Sequence, residues 1–222
     1  MRQLALPLAP PPSPTLENFV PGRNAELLGV LSALAAGDLT ERFVYLWGGH
    51  GCGKTHLLRA TCSALSGRDV PAKMLTGPDA QTDSHSEAVL ADDVEQLTDQ
   101  GQEQLFNIYN VQRDGDGVLV AAGAVPCARL PLRDDLTTRL GWGLVYEVHS
   151  LSDEEKMSAM TRHAHERGFD LGRDVMEYLL RRQARDLPGL LGLLDALDRY
   201  SLENKRAVTI PLVRELLSVS GE

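Results

Sequence analysis

The sequence predicts an α/β fold, a parallel five-stranded sheet covered by helices, followed by a small all-helical domain. Three observations lead to this prediction. Short apolar runs alternate with helical segments over the first 150 residues, which is typical of strands joined by crossover helices. From Leu151 onward the pattern is helical only. A glycine-rich loop follows the first apolar run and precedes a helix, as a phosphate-binding loop requires.

The composition restricts the function classes. The 222 residues carry a formal net charge of −9, which argues against a protein whose main affinity is for nucleic acid. No apolar run approaches the roughly 20 residues needed to span a bilayer, and the proline-rich N-terminus does not resemble a signal peptide. The cysteines, Cys52, Cys62 and Cys127, lack metal-ligand spacing. We therefore expect a cytoplasmic protein.

The N-terminal part begins with a flexible tail over residues 1–14, because the prolines from Pro10 to Pro14 exclude a helix or a central strand. A nucleotide-binding α/β domain is then predicted for residues 15–150. Its first helix, Glu26–Ala36, ends at Gly37, a favourable C-cap residue. The predicted elements that follow are strand Phe43–Trp47, helix Lys54–Leu65, strands Val70–Leu75 and Ala88–Ala91, helix Gln100–Val111, strand Val118–Ala122, helix Leu132–Leu140 and strand Leu144–Val148.

Residues 151–222 are predicted to form the helical domain. Ser152 and Glu155 have the spacing of a capping box, which starts a helix that stops near Gly168. Further helices are predicted over Arg173–Ala184, Pro188–Leu202 and Ile210–Ser218.

The phosphate-binding loop matches the pattern G-x-x-x-x-G-K-[ST] in full. Its residues are Gly48, Gly49, His50, Gly51, Cys52, Gly53, Lys54 and Thr55. Backbone N–H groups of such a loop converge on phosphate oxygens, and the start of the next helix adds its positive end. Lys54 is expected to reach the terminal phosphates and Thr55 to hold Mg²⁺. The sequence therefore predicts a site for a nucleoside di- or triphosphate.

Two acids, Asp92 and Asp93, follow the apolar run Ala88–Ala91. An acid at a strand tip beside a phosphate-binding loop is placed to hold Mg²⁺ or its water ligands, and we expect this of Asp92. The alternative is a pair of acids that only caps a helix N-terminus.

Together these segments resemble the DnaA branch of the AAA+ ATPases, and within it the regulatory inactivators of DnaA. The resemblance covers nearly the whole chain. Besides the phosphate loop and Asp92-Asp93, it rests on residues 15–26, on Thr138-Arg139-Leu140-Gly141-Trp142-Gly143 and on Leu151–Lys156. It implies that Phe19 and Val20 frame the adenine of ADP or ATP, that residues 151–222 form a lid, and that Arg139 is an arginine finger.

The resemblance also implies two protein partners. The hexamer from Gln3 to Leu8 is similar to a peptide that docks on the β subunit of the DNA polymerase sliding clamp. Arg139 would stimulate hydrolysis of ATP bound to DnaA. The simpler alternative for the hexamer is a disordered leader. The simpler alternative for Arg139 is a surface ion pair with no functional role. The clamp-binding residues implied are Gln3, Leu4, Leu6, Pro7 and Leu8.

The sequence departs from the family pattern at three places that serve hydrolysis. The strand after the acidic pair ends in Val120–Ala124, without the polar side chains that sense a γ-phosphate. Pro188 stands where a lid arginine is expected, and Arg185 is the possible substitute. Asp93 is shorter than the glutamate that orients water in many AAA+ enzymes. We therefore expect a nucleotide-binding regulator with weak or absent ATPase activity.

The predicted function is regulation of DNA replication initiation, linking the sliding clamp to DnaA in the nucleoid. The chain ends after the lid, so no sequence-specific DNA binding is expected, and homo-oligomers are possible. The alternative is an autonomous ATPase, such as a DnaA-like initiation factor or a helicase loader. That alternative needs a complete catalytic set and a basic track for single-stranded nucleic acid. The only basic cluster, residues 181–185, is explained by a solvated helix face.

Overall fold

A computed structural model describes residues 13–79, 86–182 and 186–219. The chain divides into two compact units, Ser13–Ser150 and the part from Leu151 onward. The first unit contains helices α1 to α4 and strands β1 to β5. Their bounds are α1 Ala25–Ala36, β1 Phe43–Trp47, α2 Lys54–Ser66, β2 Ala72–Leu75, β3 Ala88–Ala91, α3 Asp99–Asp114, β4 Val118–Gly123, α4 Asp134–Leu140 and β5 Leu144–Glu147.

The strands form one parallel sheet in the order β2-β3-β4-β1-β5. Alternate side chains of each strand enter different cores, because successive residues of a strand point to opposite faces. Leu46, Leu90 and Val120 pack with α1 and α2 on one face. Tyr45 and Leu119 pack with α3 and α4 on the other. The predicted α/β sheet covered by helices is confirmed.

Many predicted boundaries differ from the structure by one to three residues, and three of these differences have a visible cause. Helix α4 begins at Asp134 instead of Leu132, because the extended Arg133 donates its backbone N–H to Gln102 on α3. Helix α3 begins at Asp99, where the Thr98 side chain caps the N-terminus. Strand β2 begins at Ala72, because the Val70 N–H bonds to the last turn of α2.

The second unit contains four helices in its described part. Their bounds are α5 Asp153–Glu166, α6 Arg173–Arg182, α7 Leu187–Asn204 and α8 Ile210–Val219. The capping box predicted at α5 is present in both directions, between Ser152 and Glu155. Leucines and methionines of the four helices form a separate core. Within the described ranges, no helix is long and apolar enough to cross a membrane.

Candidate nucleotide-binding site

The glycine-rich loop connects the end of β1 to the first residue of α2. Gly51 and Gly53 have φ angles of +74° and +108°, which residues with a side chain rarely adopt. Gly53 has a second constraint, because a Cβ there would come within 2.9 Å of the Phe19 ring. The pattern of glycines is therefore required by the backbone path, and α2 starts where the loop ends.

Lys54 is folded into this loop. Its side chain is buried, with the residue 8% exposed, and Nζ donates to the carbonyl oxygens of Gly48 at 2.7 Å and Gly49 at 3.2 Å. A carbonyl carries only a partial charge, so these bonds leave the ammonium with a strong attraction for an anion. The start of α2 adds to the same positive potential. The loop is thus prepared for a phosphate group.

Thr55 and Asp92 lie together at the tip of β3. The Thr55 hydroxyl donates to Oδ2 of Asp92 at 2.6 Å, and Oδ1 of Asp92 accepts the Asp93 N–H at 3.1 Å. Asp92 is buried, at 7% exposure. A hydroxyl and a carboxylate oxygen are the hard ligands that Mg²⁺ takes, usually together with water and substrate phosphates. In the described residues there is no group of three His, Cys, Asp or Glu that could hold a metal ion.

Asp93 differs sharply from its neighbour. It is exposed and has a φ of +48°, a left-handed conformation that Asp tolerates better than most residues. Loss of water around the carboxyl group is the largest cause that raises its pKa, and the charges of Asp92 and Glu95 raise this pKa further. Negative charge is therefore concentrated at this strand tip, and a bound cation would relieve the repulsion.

The segment predicted to frame the adenine lies against the phosphate loop. Phe19 stacks at a tilt on His56 of α2, with ring centroids 5.4 Å apart. His56 Nε2 contacts the Thr15 carbonyl oxygen at 3.0 Å, and burial lowers the pKa of this histidine. Val20 is half-buried beside Phe19. The segment is fixed at its far end by Asn24, which exchanges two hydrogen bonds with the backbone of His149.

Glu95 was not predicted as part of the site. It lies in a short 3₁₀ turn after Asp93, and its Oε2 accepts the Ala124 N–H at 3.2 Å. Ala124 follows β4, and the Gly123 carbonyl oxygen in turn accepts the Gly48 N–H at 3.3 Å. A carboxylate therefore stands at the end of β4, where the sequence lacks polar side chains. Its place three residues after Asp92 was the only signal in the sequence.

Arg139 lies apart from these groups, in the last turn of α4. Its contacts are with α3 and with the turn before β5, the strand at one edge of the sheet. Nη1 donates to Oδ1 of Asn110, and the guanidinium carbon lies 4.3 Å from the Phe106 ring centroid. The structure thus brings together Phe19, the loop, Thr55 and the acids, and gives Arg139 separate surroundings.

Some predicted site residues fall outside the described part of the chain. These are Arg185 and the clamp-binding residues Gln3, Leu4, Leu6, Pro7 and Leu8. Pro188 occupies the first turn of α7, whose N-terminus is capped by Asp186. Within the loop, His50 and Gly49 are exposed, whereas Cys52 is buried, and this burial raises the pKa of its thiol.

Comparison with known proteins gives a family match in the second unit and a fold match over most of the chain. Residues 153–217 match the family model described as the lid domain of Hda. Domain III of the replication initiation protein DnaA from Thermotoga maritima superposes with a TM-score of 0.74 at 21% identity, over 93% of this chain and 96% of that chain. AMPPCP-bound DnaA from Aquifex aeolicus gives a TM-score of 0.70 at 23% identity, over 89% and 69%.

A more distant fold match is a single-residue variant of RuvB from Thermotoga maritima. Its TM-score is 0.64 at 18% identity, over 93% of this chain and 72% of that chain. The predicted fold, a five-stranded parallel sheet covered by helices and followed by a small helical domain, is confirmed by these matches.

Proposed function

We propose that this chain belongs to the Hda/DnaA branch of AAA+ proteins and is a nucleotide-bound regulator of replication initiation. The support is the match of residues 153–217 to the Hda lid domain and the likeness of the fold to DnaA domain III. It binds ADP or ATP with Mg²⁺ in its own site. It acts through Arg139 on ATP held by DnaA, and it is linked to the sliding clamp by its N-terminal tail.

The nucleotide part of the proposal is supported by the phosphate loop. The buried Lys54 ammonium faces the loop carbonyls, and the Thr55 hydroxyl lies 2.6 Å from the Asp92 carboxylate. Together they supply the cation and the hard oxygen ligands that a Mg²⁺-nucleotide requires. Phe19, packed beside the loop, offers an apolar surface for the base.

The site is better suited to retain a diphosphate than to hydrolyse a triphosphate. Hydrolysis needs donors that stabilise the charge developing on the transferred phosphoryl group. At the end of β4 the Ala124 N–H is already taken by the Glu95 carboxylate, and Val120–Ala124 contains no polar side chain. A carboxylate in that place repels a γ-phosphate instead of stabilising it.

One observation supports the proposed action of Arg139 on a partner's nucleotide: its guanidinium contacts α3 and not the chain's own phosphate loop. The side chain lies against α3, near the edge strand β5, and is half-buried. A guanidinium near a sheet edge is accessible to a second protein, and its planar fork matches phosphate oxygens. An arginine supplied in trans accelerates phosphoryl transfer by about 10³–10⁵-fold.

The clamp link rests on the sequence of the tail alone. We expect Leu6 and Leu8 to act as apolar anchors of a peptide that binds in an extended form, because Pro7 excludes a helix interior. Each buried leucine contributes about 1.5–3 kcal/mol. We expect a chain starting at Thr15 to lose binding to immobilised clamp. Undiminished binding would show that the tail is only a leader.

The trans role is tested by single-turnover hydrolysis of ATP preloaded on DnaA, with clamp present. Wild-type chain is expected to stimulate phosphate release, Arg139→Ala to abolish the stimulation while retaining ADP, and Arg139→Lys to rescue poorly. Stimulation by Arg139→Ala equal to wild type would refute the trans role. Steady turnover at or above about 1 s⁻¹ by the chain alone would favour the autonomous ATPase instead.

A further inference from the structure

Two arginines of the helical domain contact one aromatic ring. Arg182, in the last turn of α6, has its guanidinium carbon 5.7 Å from the ring centroid of Tyr178. Arg214 of α8 approaches the same ring at 5.5 Å. Both arginines are exposed, whereas the ring is partly buried and packs on the core of the four helices. We call Tyr178, Arg182 and Arg214 the arginine–tyrosine cluster.

The acid next to this ring on α6 is engaged by other arginines. Glu177 contacts Arg173 at 3.0 Å and Arg181 at 3.9 Å, each four residues away on the helix. Arg181 therefore fits the solvated helix face that the sequence predicts, whereas Arg182 contacts the Tyr178 ring instead. Among the described contacts of Arg182 there is no carboxylate.

The acid next to Arg214 on α8 is engaged in the same way. Glu215 contacts Arg206 at 2.8 Å and accepts the Tyr200 hydroxyl at 2.9 Å. Arg214 has no carboxylate among its described contacts. The cluster therefore holds two positive charges near one ring, and an anion bound between them would relieve their repulsion.

The Tyr178 hydroxyl is buried and has no hydrogen-bond partner. Buried polar atoms in proteins are nearly always paired, so an unpaired hydroxyl calls for an explanation, such as a bound ion. The hydroxyl belongs to the same ring that both guanidinium groups contact, which groups all three sets of donors around one side chain.

A phosphate group matches these donors. A guanidinium that stacks on a ring keeps its N–H donors available in its own plane. Two such groups and a hydroxyl require an acceptor with at least three oxygens, which a phosphate has and a carboxylate lacks. We propose that the arginine–tyrosine cluster binds a phosphate group, either of a nucleic-acid backbone or of free phosphate. This proposal does not depend on the trans role of Arg139.

The competing explanation is that these contacts only stabilise the helical domain. A ring attracts a guanidinium even without a ligand, and the C-terminal end of α6 favours a cation such as Arg182. The two explanations differ in the response to phosphate. Contacts that are only structural predict no saturable response at Arg182 or Arg214.

The direct measurement follows the Nε–H NMR signals of the arginines in the full chain, with saturating ADP and Mg²⁺ to occupy the phosphate loop. Inorganic phosphate is titrated at constant ionic strength, and acetate is the carboxylate probe. Arg182→Gln and Arg214→Gln assign the two signals. Arg181→Gln, an exposed neighbour that contacts Glu177, is the matched control for loss of charge. Tyr178→Phe keeps the ring and removes only the hydroxyl, and the thermal midpoint of every variant checks its folding.

Phosphate is expected to shift both signals with one common affinity, and acetate to bind about tenfold more weakly. Arg182→Gln and Arg214→Gln should each lower the phosphate affinity by about tenfold, and Tyr178→Phe by about threefold, because each removes a donor. Arg181→Gln should stay within about twofold of wild type. The absence of a saturable shift, equal affinity for acetate, or an equal loss in Arg181→Gln would each overturn the inference.

A fluorescent single-stranded oligonucleotide distinguishes the two sources of phosphate, in anisotropy titrations at several salt concentrations. If the phosphate belongs to nucleic acid, each replaced arginine should weaken binding and reduce the slope of log affinity against log salt by about 0.7. If the oligonucleotide does not bind while inorganic phosphate shifts both signals, free phosphate is the ligand. Oligonucleotide binding that is the same in wild type and both arginine variants would overturn the nucleic-acid source.

Discussion

Replacing Thr55 by valine tests the predicted link between the phosphate loop and the strand tip of β3. Valine keeps the shape of threonine but loses the hydroxyl that donates to Asp92 at 2.6 Å. Asp92 is 7% exposed, so one of its oxygens would lose a charge-assisted bond in a place with little access to water. Such a bond contributes about 1.5–3 kcal/mol to stability.

The loss should appear in the thermal midpoint of the nucleotide-free protein. For a unit of the size of Ser13–Ser150, each kcal/mol of lost stability lowers the thermal midpoint by about 4 °C. We therefore expect the thermal midpoint of Thr55→Val to fall by about 6–12 °C. Nucleotide binding should weaken as well, because the same hydroxyl is the proposed Mg²⁺ ligand. We expect ADP affinity in Mg²⁺ to fall by about 10- to 100-fold, and affinity in EDTA to stay unchanged.

Thr61→Val is the matched control on the same helix. Thr61 is fully buried, but its hydroxyl donates to the carbonyl of Leu57 at 2.8 Å, within the helix and without a charged partner. We expect a change in stability within about 1 kcal/mol and no change in ADP affinity. The proposed role of the Thr55 hydroxyl is wrong if Thr55→Val and Thr61→Val have the same thermal midpoint. It is also wrong if Thr55→Val weakens ADP binding equally in Mg²⁺ and in EDTA.

Three further predictions follow from charges in the structure. Glu95→Gln should raise the affinity for ATP relative to ADP by about tenfold in equilibrium titrations. The glutamine oxygen can still accept the Ala124 N–H, but the negative charge of Glu95 is lost. An unchanged ratio of the two affinities would contradict this prediction. Asp93→Asn should raise the thermal midpoint at neutral pH, because the raised pKa of Asp93 means that its ionised form is disfavoured in the folded state. The gain should disappear as pH falls below the carboxyl range, where Asp93 is protonated in both states, and equal midpoints at pH 7 would count against it. Asp195→Ala should destabilise the lid by about 1.5–3 kcal/mol in denaturant titrations. The reason is that the Asp195 carboxylate, on α7, contacts His163 of α5 at 2.6 Å and Arg167, just after α5, at 2.7 Å. An unchanged free energy of unfolding would show that these contacts do not stabilise the lid.

The sequence predicted those elements best whose structure depends only on residues close together in the chain. Strand Phe43–Trp47 and the loop after it agree with the structure, because a buried strand, obligatory glycines and a helix start follow one another without interruption. The capping box of α5 is another such case, since Ser152 and Glu155 are three residues apart.

The contacts that surround the functional groups were not predictable in this way. Asn110 and Arg139 are 29 residues apart, and so are Glu95 and Ala124. The two residues of each pair are in contact only because the folded sheet places separate segments of the chain side by side. The hydrophobic pattern of either segment alone does not indicate this contact. The left-handed conformation of Asp93, which precedes the 3₁₀ turn Val94–Gln96, likewise has no signal in the sequence.

We propose that the nucleotide hydrolysed is the ATP held by DnaA and not the nucleotide held by this chain. The most direct measurement loads DnaA with γ-labelled ATP, removes free nucleotide, and adds this chain loaded with unlabelled ADP, with clamp present. We expect rapid release of labelled phosphate that requires Arg139, and no release when the label is placed on this chain and DnaA holds ADP. If labelled phosphate is released only when this chain carries the label, the proposed trans role is wrong.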